Sequence, residues 1–171
     1  MSILGKEMPG SRTQTRKHGK NTLAVAYFPG IHGVKGEVIF QEKVGGVQVS
    51  IYFEKLPKGR HGIHIHKAGD LRGEGCKAAC DHWHKGTRKV RHGGHPGTKG
   101  HRHTGDLGNI CPSDSRKTYF LRGIHLSELY GRSVIVHADE DDLGKGPHED
   151  SHTTGHSGAR IGCAIIGRCC K

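Results

Sequence analysis

Val47-Gln48-Val49-Ser50-Ile51-Tyr52-Phe53-Glu54 is the stretch whose reading decides the fold. Apolar Val47, Val49, Ile51 and Phe53 alternate with Gln48, Ser50, Tyr52 and Glu54, the period-two pattern of a strand with one buried face. Similar short runs predict strands near 23–28, 34–42, 60–67, 119–125, 132–138 and 160–167. Turn-forming residues punctuate the junctions, among them Pro29-Gly30, Gly45-Gly46 and Pro57-Lys58-Gly59. No segment carries a helical period of any length. Strands recurring at this spacing predict an all-β antiparallel sandwich or barrel. Two stretches break the rhythm, 67–102 and 139–159, and loops of that length inside a compact domain are usually functional.

The chain of 171 residues is most simply one domain with its own core, and its 28 glycines with 5% aromatics suit many turns and short strands. The formal charge of +11 is unevenly spread: residues 1–20 hold five Lys or Arg against one Glu, and residues 58–103 hold eleven against three acids. Such an excess raises nucleic acid or an anionic membrane as a partner. No aromatic interleaves with the basic run 85–102 to stack on bases, however, and no stretch reaches the roughly 20 apolar residues of a membrane span. Neither specific nucleic-acid binding nor membrane insertion is expected. Residues 1–20 lack the apolar centre of a secretory signal, so they read as a disordered tail and the expected compartment is the cytoplasm. The folded domain is expected over 21–168, followed by a short cysteine-containing tail at 169–171.

Chemistry concentrates in His64, His66, His82, His92, His103, Asp106 and His137. His64 and His66 stand at i and i+2 of a predicted strand, so both imidazoles leave one face of a rigid element. His82, His92 and His103 lie in or at the end of the first long loop, Asp106 follows His103 by three, and His137 ends the strand-like Val134-Ile135-Val136. Six imidazoles and one carboxylate can fill two metal sites that share one ring. Such a donor set suits copper and zinc rather than magnesium or calcium. The remaining ten histidines, including His61, His84, His148, His152 and His156, read as mostly solvated.

At these motifs the chain resembles the copper/zinc superoxide dismutase family, from about residue 21 to residue 167. The resemblance implies a Greek-key antiparallel β-barrel or flattened sandwich whose two long loops are the metal-binding and electrostatic loops. It implies one copper per subunit on His64, His66, His82 and His137, and one zinc on His82, His92, His103 and Asp106, with His82 bridging. Asp141, in Asp141-Asp142-Leu143-Gly144-Lys145-Gly146, would tie His64 to His92 through their outer nitrogens. Arg160, in Gly158-Ala159-Arg160-Ile161-Gly162-Cys163, would dock the superoxide anion, and His82 would carry a proton to the peroxide product. Cys76 and Cys163 match the family disulfide. Cys80, Cys111, Cys169 and Cys170 have no assigned role.

The departures are informative. Segment 139–160 holds six acids and two bases, with Asp139 and Thr153 where animal members commonly present lysines, so weak local guidance of superoxide and a shallow salt dependence are expected. A homodimer is expected from Gly69, Tyr130, Gly131, Ile165 and Gly167, although Ala68 and Arg168 replace larger or apolar contact residues. A rival reading is a copper-delivery protein resembling the copper chaperone for superoxide dismutase. Such chaperones carry an amino-terminal Cys-x-x-Cys domain, which this chain lacks, while it retains every copper ligand and Arg160. Such a chaperone is a possible partner for copper loading. A histidine-rich metal buffer would need neither Arg160 nor Asp141.

Overall fold

A computed structural model describes residues 23–170. The expected 1–20 tail and the final Lys171 lie outside the described residues. Among the described residues, nine strands build two antiparallel sheets. They are β1 (Leu23–Pro29), β2 (Lys35–Lys43), β3 (Gly46–Lys55), β4 (His61–His66), β5 (Asp106–Ile110), β6 (Arg116–Arg122), β7 (Ser133–His137), β8 (Arg160–Ile165) and β9 (Gly167–Arg168). One sheet has the order β6-β3-β2-β1-β9 and the other β5-β4-β7-β8, so the molecule is the expected sandwich and the sheets do not close into a barrel. The non-sequential neighbours β3–β6 and β4–β7 mark the crossing connections.

Alternation in β3 works as read: Val47, Val49, Ile51 and Phe53 are buried and join Phe28, Phe40, Ile63, Ile65, Leu107, Val134 and Val136 in one core. The sixth strand starts three residues earlier than expected, at Arg116, and the 160–167 run divides into β8 and β9. Strand β5 was not anticipated. Its Asp-Leu-Gly-Asn-Ile sequence does not alternate, and Gly108 takes a positive φ of 78°, so only pairing to β4 makes it a strand.

Strand β4 is buried on both faces. Ile63 and Ile65 face the core opposite Val136 and Val134, while His64 pairs with Ile135 and with Asp106 on the other side. The long loops cover the histidine face. Trp83 N–H donates to Ile65 O at 2.8 Å, Gly62 N–H to Asp139 O at 2.9 Å, and His92 N–H to His152 O at 2.8 Å. The last of these joins the two loops to each other. A disulfide between Cys76 and Cys163, as expected, ties the first loop to β8 with Cα atoms 6.7 Å apart.

Candidate metal centre

Register places the chemistry. His64 stands across from Asp106 on β5, and His137 across from Arg160 on β8. An isolated bridge sets His82 of the first loop beside His66. The result is two buried donor clusters sharing one ring: His64, His66, His82 and His137, and His82, His92, His103 and Asp106, each with its candidate ligand atoms within 4.8 Å of one another.

The hydrogen bonds decide which nitrogen of each ring points inward. His64 Nε2–H donates to Asp141 Oδ2 at 2.8 Å, His66 Nδ1–H to Cys80 O at 2.8 Å, and His137 Nδ1–H to Gly158 O at 3.1 Å. His92 Nε2–H donates to Asp141 Oδ1 at 2.7 Å. The opposite nitrogens, His64 Nδ1, His66 Nε2, His92 Nδ1 and His137 Nε2, are buried and have no hydrogen-bond partner. A buried lone pair left without a partner costs about 1–3 kcal/mol, and four of them aimed into two adjoining clusters fit metal ligation.

The second cluster has a different donor geometry. Nδ1 atoms of His82, His92 and His103 approach Asp106 Oδ1 at 2.9, 3.2 and 3.3 Å. Asp106 Oδ2 is held away by Gly93 N–H at 3.1 Å and His103 N–H at 2.7 Å. Three imidazole nitrogens and one carboxylate oxygen, most of them buried, match a closed four-coordinate zinc site. His82 Nδ1 belongs to this cluster, which leaves its Nε2 for the four-histidine cluster.

Burial lowers the pKa of His64, His66 and His82, and pushes that of His137 down to about 4. Those rings stay neutral at pH 7, the form that binds metal. Burial also acts on His92, but the Asp106 and Asp141 carboxylates overcome it and raise the ring to about 9. Burial would raise Asp106, yet the surrounding imidazoles of His103, His82 and His92 hold it well below the usual carboxylate range.

Residues outside the expected set complete the frame. Asn109 Nδ2 donates to Asp141 O at 2.8 Å and its Oδ1 accepts from Asp141 N–H at 2.7 Å, so a strand residue holds the bridging aspartate by its backbone. Gly155 has a φ of 70°, and a Cβ there would overlap Asp141 Oδ1 and His92 Nε2. His61 is 2% exposed rather than solvated, with Nδ1–H donating to His137 O and Ala138 O, both at 3.0 Å. None of the three has a local sequence signal, because each acts on a residue distant in the chain.

Arg160 caps the open side. Its Nη1 donates to Cys76 O and its Nη2 to Cys80 O, both at 2.7 Å, so the disulfide loop positions the guanidinium. A cleft of about 750 Å³ opens here, lined by His66, His82, His137, Arg160, Arg88 and Lys89 among others.

A β-sandwich carrying two donor clusters joined by one imidazole belongs to a class of binuclear metalloproteins. The copper/zinc superoxide dismutase family model matches residues 34–166, and the chain belongs to that family. It is 43% identical over 158 residues to the superoxide dismutase [Cu-Zn] of Paramecium bursaria Chlorella virus 1, covering 86% of this chain and 79% of the relative. It is 42% identical over 146 residues to the putative superoxide dismutase [Cu-Zn] of Orgyia pseudotsugata multicapsid polyhedrosis virus, covering 78% of this chain and 91% of that protein.

Proposed function

We propose that this chain dismutates superoxide, one anion leaving as oxygen and a second as hydrogen peroxide, with the cleft residues in divided roles. The single observation that carries the division is the set of four unpartnered inward nitrogens. His64 Nδ1, His66 Nε2, His82 Nε2 and His137 Nε2 would hold copper; Nδ1 of His82, His92 and His103, with Asp106 Oδ1, would hold zinc. Copper held there would supply the one-electron chemistry that the dismutation needs.

Arg160 draws the anion into the cleft and orients it by charge-assisted hydrogen bonds. His82 Nε2 would serve as a metal donor in one half-cycle and, released and protonated from solvent, as the proton donor to hydrogen peroxide in the other, while Nδ1 stays turned toward the second cluster. Asp141 keeps both His64 and His92 in the tautomer that presents Nδ1 inward. The second product proton comes from solvent in the open cleft.

The same reading takes 21–168 as the dismutase domain, 1–20 and 169–171 as tails, and a copper chaperone as the loading partner. A homodimer through Gly69, Tyr130, Gly131, Ile165 and Gly167 is supported by Ile165, 48% exposed on β8. The free thiols Cys80, Cys111, Cys169 and Cys170 suit a reducing, cytoplasmic compartment. The test is superoxide dismutation by metal-reconstituted protein, with copper and zinc counted per chain. His137→Ala should lose copper and keep zinc near one per chain, and equal loss of both would overturn the ligand division. Arg160→Ala should lower activity and weaken azide binding with both metals retained; full activity would reject its docking role.

A further inference from the structure

Beside His92, the two long loops border a second cleft of about 280 Å³ that shares no lining residue with the first. Its walls include Arg91, Lys99, His101, Lys145 and His152, and no carboxylate lines it. Several cations elsewhere on the surface are paired with acids. Lys35 meets Glu54, Arg60 meets Glu140, Arg72 meets Asp70 and Lys85 meets Glu128. The five groups around this cleft make no side-chain hydrogen bond or ion pair among the described residues, although they come from three separate stretches of chain. Asp142, the nearest acid in sequence to Lys145, is turned to Gly144 N–H and to Ser151 Oγ–H. Three permanent positive charges left unneutralised around one concavity repel each other, and a cleft lined by one sign concentrates the opposite ion.

We infer that this cleft is a binding site for a multivalent phosphate-type anion, free or carried on a nucleotide. Arg91 offers a planar fork that matches two phosphate oxygens, and Lys99 and Lys145 supply point charges from opposite loops. His101 and His152 add ring N–H donors. Gly93, Gly94, Gly100 and Gly144 keep the floor free of side chains. Because Lys99 and Lys145 sit on different loops, a bound anion cross-links them. It tightens the junction where His92 N–H donates to His152 O at 2.8 Å.

The test titrates the metal-loaded protein with inorganic pyrophosphate and, separately, with ADP, at physiological ionic strength. Saturable binding of pyrophosphate is expected, and the double variant Lys99→Ala/Lys145→Ala should weaken it at least about tenfold, as loss of two charge-assisted contacts requires. Arg160→Ala should leave this binding in place, which separates the cleft from the copper side. Amide exchange at His92 should slow on binding in the unmodified protein and stay unchanged in the double variant. ADP binding no tighter than pyrophosphate assigns the site to free phosphates, and tighter ADP assigns it to a nucleotide. Absence of saturable pyrophosphate binding, or binding that the double variant leaves intact, would overturn the site.

Discussion

At the scale of single residues, Asp141 is the piece on which both clusters turn. Its two carboxylate oxygens hold the outer nitrogens of His64 and His92, at 2.8 and 2.7 Å, so one side chain sets the inward nitrogen of one histidine in each cluster. Gly155 leaves the space that Asp141 and His92 occupy, and its left-handed backbone suits glycine. Gly155→Ala is therefore expected to displace Asp141 and weaken zinc and copper binding together, by about 10- to 100-fold as for other residues that orient ligands from behind. Competition with a chelator measures this, and retention of both affinities would show the carboxylate is free to move. The seven candidate donors stood out in the sequence because motif and spacing survive without geometry, and Asp141 was implied by the family resemblance. Asn109, Gly155 and His61 were not, since each works on a partner between 14 and 77 positions away.

At the scale of elements, β8 couples the covalent frame to the cleft. It carries Cys163 of the disulfide and Arg160, whose guanidinium is held by the carbonyls of Cys76 and Cys80. The closure spans 87 residues, for which chain entropy alone gives about 4–5 kcal/mol, an upper range because strain and denatured-state structure reduce it. Cys163→Ser is thus expected to lower the stability of the metal-free protein by a few kcal/mol in urea unfolding. The same variant should weaken azide binding in the metal-loaded protein, because Arg160 loses a fixed acceptor. Unaltered azide affinity would show that Arg160 holds its place without the disulfide. Strand β5 makes the complementary point. Its Asp106 joins the cluster of His82, His92 and His103 only through pairing with β4, which local pattern does not encode.

For the whole molecule, two opposing titrations govern the metal-free fold. His64, His66 and His137 have pKa values depressed below 6.5, His137 to about 4, so the stability they contribute is present above pH 6.5 and is lost as pH falls. His92 is raised from 6.5 to about 9, so its contribution is full below pH 6.5 and is lost as pH rises toward 9. The metal-free protein should be most stable near pH 6.5, measured as the urea midpoint against pH. A midpoint that climbs steadily to pH 9 would contradict this. The charge field also differs from the reading of segment 139–160 by composition. Glu140 pairs with Arg60, Asp141 is buried, Asp142 accepts from Ser151, and Asp150 pairs with His156. Arg88 and Lys89 from the other loop line the cleft. The fall in rate with added salt should accordingly be steeper than that composition suggests, and Arg88→Glu/Lys89→Glu should cut the rate at low ionic strength and flatten the salt dependence. An unchanged salt profile in that variant would place the guiding charges elsewhere.

The sequence by itself determined the all-β class and the presence of six histidines and one aspartate at ligand spacing, because strand alternation and donor spacing are local patterns that burial and coordination chemistry impose on the chain; the shared ring and the cysteine pair were implied by the family resemblance. Only the tertiary structure decided which nitrogen of each imidazole faces the interior of its cluster, what holds Asp141 and Arg160 in place, and which charges reach the cleft. Those properties belong to contacts between residues far apart in the chain, formed when β4 pairs with β5 and β7 and the two long loops close over the same face. The cationic cleft beside His92 belongs with them, since its walls come from two loops that only folding brings together.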